Sequence, residues 1–412
     1  ITGDDFNTND TVQIWTGNIQ SITTDKDVER YVFQDDTGNN EISVTLVNPD
    51  ENSTVTIESD VPGDTIIIDA SALPAGKTLK LVGSAQFVIT GLSGDLDASE
   101  STGSLTVTSN GGNTITTGMG NTHVTSNGGS TAINAEMMRD ANNINVPTTT
   151  SLLTTDGTGS VVITNLVADL NNSAAGGATV TMGSDDLAGS AYSSGVDVTL
   201  VSTTAITVAN GSLRDQDTLR IQGSGNYTIT GLVANVDGYT DASHFVSGTV
   251  NISAIDTVNI ETGTNNTTIS EATGKTANVD AEALADGNLL STSGAGSFSV
   301  TNLLADMTNT ATGTVEVWLD DDGAAGATTT ITNNAAITLQ LHNDFTSNDV
   351  ISTAGTGSFN VIGLKADLVN SATGTVLATM AHTETNDVIN VTNNALTGTL
   401  TIANGTFVDG DT

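Results

Sequence analysis

The chain has 412 residues, of which 47 are Asp or Glu and nine are Lys or Arg, for a formal net charge of −38 at pH 7. That balance excludes nucleic acid, whose binding needs clustered bases, and works against an anionic membrane surface. The absence of cysteine excludes disulfides, thiolate metal sites and a cysteine nucleophile, and with 3% aromatic and 37% apolar residues a core is available only from Val, Ile, Leu and Ala.

Residues 1–65 read as an atypical N-terminal β segment, tied to the rest only by FNTNDTV (Phe6–Val12), which echoes FTSNDVI (Phe345–Ile351). From Ile66 onward the chain repeats. Five stretches align without gaps: GSAQFVITGLSGDL from Gly83, GTGSVVITNLVADL from Gly157, GSGNYTITGLVANV from Gly223, GAGSFSVTNLLADM from Gly294 and GTGSFNVIGLKADL from Gly355. Their spacing averages about 68 residues. The expected division is 66–140, 141–207, 208–278, 279–339 and 340–412, the last also holding the start of another unit. No apolar run reaches the roughly 18 residues a membrane-spanning helix needs. The best helix signal is a short one, AINAEMMRDANN near Ala132.

The aligned columns carry physical content. Phe87/Ile89, Val161/Ile163, Tyr227/Ile229, Phe298/Val300 and Phe359/Val361 alternate with polar residues, as a strand with one buried face does. Next comes Gly91, Asn165, Gly231, Asn302 or Gly363, residue types that tolerate positive φ and so predict a backbone bend. Then follows Leu92, Leu166, Leu232, Leu303 or Leu364, a core plug. Asp95, Asp169, Asn235, Asp306 and Asp367 come last, where an Asx-turn onto the residue's own backbone is expected. The fold expected is all-β: a parallel β-solenoid of stacked coils, with tandem small β-sandwiches as the alternative.

Hard cations need clustered oxygens, and so few bases leave most carboxylates to water or to a shared cation. The candidate metal ligands are Asp215 and Asp217, Asp409 and Asp411, with Asp349 and Asp10 in the column of Asp217; then Asp320, Asp321 and Asp322, and Asp95 with Asp97. The competing role for each is to cap turn amides. Calcium is the expected cofactor. Ile115, Val124 and Ile133 stand nine apart, close to the spacing of a calcium β-roll, but Asn113 and Asn121 replace its Asp, which predicts a metal-free coil there. His123, His244, His342 and His382 form no HxH or HExxH pair, and no GxSxG occurs. No catalytic residue is expected, and no enzyme. Tyr227, Tyr239 and Phe245 are the one local aromatic cluster, expected mainly as core.

IIIDASALPAGKTLKLVGSAQFVITGLSGDLDAS (Ile66–Ser99) and VDAEALADGNLLSTSGAGSFSVTNLLADM (Val279–Met307) resemble the Ser/Thr/Asp-rich β-strand repeats of large secreted bacterial surface proteins. These are the calcium-dependent adhesins of type I secretion, surface-layer proteins and extracellular sheath proteins. The resemblance implies an extracellular location at the bacterial surface, calcium, and a structural or adhesive role. Self-association into a layer, sheath or filament is the leading expectation. A stalk holding an adhesin tip is the second, and a glycan-binding or glycan-cleaving β-helix protein the third. The partners expected are further copies of the chain, with other surface proteins or glycans as possibilities, and neither nucleic acid nor direct membrane insertion.

Overall fold

In the strand Thr65–Asp69 the side chains of Ile66 and Ile68 are fully buried while Asp69 is exposed. Such alternation, with β-branched residues inward, makes each strand one wall of a core. The computed structural model describes residues 10–15, 20–34, 39–49, 54–138, 151–183, 197–320, 328–336, 338–343, 349–381 and 388–403. Among them every helix or strand assigned is a strand, and they fall into two units, Ile1–Leu213 and Arg214–Thr412.

In the first unit, strands from Thr11–Trp15 to Ile206–Ala209 alternate in chain order between two sheets. Within the unit each pairs, always parallel, with its neighbours two places away in chain order. Val55 opposes Leu79 and Leu79 opposes Leu96 in sheet I; Ile66 opposes Phe87 in sheet II. One coil is therefore two strands and their corners, about 21 residues. The second unit has the same plan in its own sheets I and II, the former including Tyr227–Leu232 and the latter Thr218–Gln222. It adds one antiparallel hairpin, Tyr239–Asp241 with His244–Phe245.

The fold is a parallel β-solenoid; sandwiches of antiparallel strands are ruled out. The short helix expected near Ala132 does not form. Ser130–Asn134 is a strand paired on both sides, followed by a turn in which Met138 N–H donates to the carbonyl of Ala135 at 3.0 Å. Thr131 and Ile133 inward against Ala132 outward is a period-2 pattern, and the ladders available on both sides outweigh local helix propensity. The rest of that segment lies outside the described residues.

The recurrent columns have defined places. The Gly that opens each aligned stretch has positive φ, from 93° at Gly294 to 106° at Gly83. The second Gly/Asn column does too, between 57° and 74° in all five copies. At each of these the ladder to the following coil slips register, as a β-bulge. The Leu just after it is fully buried in all five. The bulge adds a residue, and the Leu fills the space that the bend makes.

The coil, rather than a 68-residue block, is the structural unit. From Gln86–Leu92 in sheet II of the first unit the chain makes seven half-coils to Ser160–Leu166 in sheet I. In the second unit it makes seven, apart from the hairpin, between Tyr227–Leu232 and Ser297–Leu303, which also changes sheet. It makes six between Ser297–Leu303 and Ser358–Leu364, which does not. The unequal repeat lengths follow the number of half-coils, seven or six, together with the lengths of the corners.

A polar seam runs inside the apolar core. Thr155 Oγ1 donates to Asn172 Oδ1 at 2.8 Å and Asn172 Nδ2 donates to Ser202 Oγ at 3.0 Å. The same seam recurs as Thr292–Asn309–Asn333 and as Thr353–Asn370–Asn393. Each central Asn also accepts the N–H two residues on, at Ala174, Ala311 and Ala372. Stacked this way, an otherwise costly buried amide is satisfied from one coil to the next.

Candidate functional sites along the coil

The repeated Asp/Asn column, expected to form Asx-turns, bonds from coil to coil. Asp95, Asp169, Asn235, Asp306 and Asp367 instead accept the backbone N–H of a residue in the next coil: Thr114, Thr199, Asn259, Thr330 and Asn390, at 2.6–3.0 Å. An anionic acceptor on a strand-entry amide makes a charge-assisted bond. We expect Asp306→Ala to destabilise the second unit by about 1–2 kcal/mol and Asp306→Asn by less, measured by urea denaturation. Equal losses in the two variants would show that the bond to Thr330 is not the cause.

A second acidic column sits at corners directly before strands: Asp10, Asp64, Asp217 and Asp349, of which the last three are buried. Asp217 Oδ2 accepts Arg214 N–H at 2.6 Å and Asp64 Oδ1 accepts Asn40 N–H at 2.9 Å. Asp217 thus caps its own turn and Asp64 bonds the preceding coil, while Oδ2 of Asp10 and Oδ2 of Asp64 are buried without a hydrogen-bond partner. Asp64 was missed by sequence reasoning, although PGDT has the same corner pattern as DQDT. Asp215, two residues before Asp217, is exposed. Asp97 accepts the N–H and hydroxyl of Ser99. Asp320 N–H donates to the carbonyl of Leu303. Asp321, Asp322, Asp409 and Asp411 lie outside the described residues. Among the described residues, no three His, Asp or Glu side chains stand together so that they could hold a metal ion.

The nine-residue run is core. Ile115, Val124 and Ile133 are buried, Ile115 opposite Ile133. Asn113 accepts the hydroxyl of Ser109, and Asn121 accepts the N–H of Leu152. His123 contacts Asp156 at 2.9 Å and His244 contacts Asp241 at 2.9 Å; His382 lies outside the described residues. Tyr227 is fully buried with its hydroxyl on the carbonyl of Gln222, whereas Tyr239 and Phe245 pair on the hairpin at 6.1 Å. His342 stacks on Trp318 at 4.6 Å on the outer face of sheet II. The ring faces lie along the ladder, against each other, rather than open as a flat platform.

In the second unit an open groove of about 430 Å³ runs along that outer face. One wall is an amide row, Asn235, Asn259 and Asn278, hydrogen-bonded strand to strand. Beside it stand Asp237, Glu261 and Asp280 on adjacent strands. Partial burial, and then the charges of Asp237, Asp280 and Glu282, push the Glu261 carboxyl above its ordinary value. Asp237 is paired with Arg220 at 3.3 Å, so the negative field in the groove centres on Glu261 and Asp280, and Glu261 takes up a proton at a higher pH than an ordinary glutamate.

Glu271 is out of keeping with its column among the described residues. At this inward place other coils carry Ser59, Ser126 or Asn333, whose carbonyls, like that of Glu271, accept amides of the following Gly-rich turn. The Glu271 side chain is 2% exposed, Oε1 accepts Ala272 N–H at 2.8 Å, and Oε2 has no hydrogen-bond partner. Burial raises its pKa. An acid raised in the folded state costs stability above that raised value, and the cost is relieved as pH falls through it. Glu271→Gln should therefore stabilise by about 1 kcal/mol near neutral pH, with the gain shrinking as the pH is lowered. Thermal melts of both proteins across pH test this; a constant difference would remove the titration.

No family model, no curated protein and no solved structure matches this chain.

Proposed function

We propose that the chain is a structural segment of a bacterial extracellular surface: a β-solenoid that associates with further copies of itself into a layer, sheath or filament, stabilised by calcium. One observation carries the reading. Each recurrent column serves the stacking of coils: the two positive-φ turns, the Leu plug, the inter-coil Asp and, in three copies, the interior Asn. A sequence that repeats its structural residues in this way extends a scaffold. Calcium is supported by the excess of carboxylates over bases and by the buried, unpartnered oxygens of Asp10 and Asp64 in one corner column.

Negative-stain electron microscopy with millimolar calcium and with chelator tests the proposal. Filaments or sheets that need calcium support it; separate rods in both conditions shift the reading to a stalk that carries a binding domain. A melting temperature unmoved by calcium would remove the ion from the proposal.

A further inference from the structure

One joint between coils recurs with three different side chains. An inward residue at the end of a strand offers its carbonyl to the Gly-rich turn that opens the following aligned stretch: Ser126 accepts Gly159 N–H at 2.8 Å, Glu271 accepts Gly296 N–H at 3.0 Å and Asn333 accepts Gly357 N–H at 2.7 Å. The side chain of each lies under that same glycine. A Cβ added there would stand 2.4 Å from Ser126 Oγ, 2.3 Å from Glu271 Cγ and 2.4 Å from Asn333 Nδ2. Two of the three then donate to the residue after the glycine, Asn333 Nδ2 to the carbonyl of Ser358 at 2.9 Å and Ser126 Oγ to that of Ser160 at 3.4 Å. Ser297 holds the matching place beside Glu271. Of the Glu271 carboxyl, Oε1 is engaged by Ala272 N–H, and Oε2 is buried with no hydrogen-bond partner.

We infer that Glu271 is a proton-operated tie between coils: as the neutral acid it donates from Oε2 to the carbonyl of Ser297, and as the carboxylate it gives that contact up. A carboxylate only accepts, and two acceptors facing each other away from water are unfavourable. The neutral acid supplies the one donor that the amide of Asn333 and the hydroxyl of Ser126 supply at the matching joints. The surroundings favour the neutral form. The neighbouring strands Val250–Ala254 and Leu289–Gly294 turn no titratable side chain inward, nor do Val258–Glu261, Thr276–Asp280 and Ser297–Leu303 of the other wall. The charges that reach Glu271 are those of Asp256 and Lys275, partly exposed and paired with each other at 2.5 Å. Burial, and then Asp256, raise the Glu271 pKa against the lowering by Ala272 N–H and Lys275. The tie is therefore whole at acid pH and is lost as the pH rises through that raised value. A joint that is permanent at Asn333 is set by pH at Glu271, whether or not the chain self-associates.

Hydrogen–deuterium exchange tests this on peptides spanning Gly294–Ser297, whose Ala295 and Gly296 N–H groups bond the Glu271 carbonyl, with Gly355–Ser358 as the internal control. Wild type, Glu271→Gln and Glu271→Met are compared from about pH 4.5 to about pH 8, each checked by far-UV circular dichroism. Gln carries a donor at every pH and Met carries none. At the alkaline end the Gly294–Ser297 turn should exchange about fivefold faster in wild type than in Glu271→Gln, and at the acid end the two should agree. Glu271→Met should exchange faster than Glu271→Gln throughout. Within wild type alone, the Gly294–Ser297 turn should lose protection relative to the Gly355–Ser358 turn as the pH rises, a readout that does not depend on either variant folding. A wild-type ratio of the two turns that stays constant across this range overturns the inference, as does Glu271→Met protecting the turn as well as Glu271→Gln. Repeating the wild-type series with millimolar calcium and with chelator separates a proton from an ion. The same profile in both supports the proton, whereas alkaline protection that appears only with calcium puts a cation in its place and overturns the inference.

Discussion

Gly83→Ala should cost about 3 kcal/mol or more, read as a fall in the urea midpoint. Two penalties meet at this residue. Its φ is +106°, where a side chain is strained, and an added Cβ would lie 2.1 Å from the carbonyl oxygen of Ser59. That oxygen already accepts the N–H groups of Ser84 and Ala85 at 2.9 and 3.1 Å. The substitution must push two coils apart or break that clamp. Gly76 provides the comparison: its φ is +82° with nothing near the added carbon, so Gly76→Ala should cost only the backbone term, about 1–2 kcal/mol. Equal losses at the two sites would mean that the close approach of coils is not what glycine serves at Gly83.

Leu232→Ala should destabilise the second unit by about 2–5 kcal/mol. Leu232 is fully buried directly after the bulge at Gly231. Because the bulge holds the backbone bent, the walls cannot close over the missing atoms, which favours the upper part of that range. Leu377, an outward residue that is 38% exposed, should lose under about 0.5 kcal/mol on the same change. A loss below about 0.5 kcal/mol at Leu232 would place the side chain outside the core.

Strands, bends and plugs were legible in the sequence because each depends on one local property: alternation, tolerance of positive φ, or burial. Five aligned copies then turn a weak preference into a column, and that column led to the solenoid. The Asp column was legible only as an acceptor. Asp169 bonds Thr199 and Asp306 bonds Thr330, partners one coil onward, and the length of a coil is not written in the local sequence. The interior Asn172, Asn309 and Asn370 had a signal in LNNSA, MTNTA and LVNSA, but Asn followed by Ser or Thr looks like any polar corner. Acids that are neighbours in sequence are set apart in space for a geometric reason. Neighbours in sequence point to opposite faces of a strand or to different parts of a corner, as exposed Asp215 and buried Asp217 show. Asp237, Glu261 and Asp280, far apart in sequence, are the ones that line up.

The count of half-coils between copies bears on how such a chain can change length. A strand carries its inward and outward residues whichever sheet it joins, since the pattern repeats every two residues on either wall. Adding or deleting about ten residues, one strand and one corner, moves everything after it to the opposite wall without turning any core residue outward. Shorter changes are taken up in the corners, since the seven half-coils from Gly83 to Gly157 take 74 residues and those from Gly223 to Gly294 take 71. Changes of one strand and one corner also carry every outward row after them to the other wall, so a single such event can redraw what each side presents while the core is untouched.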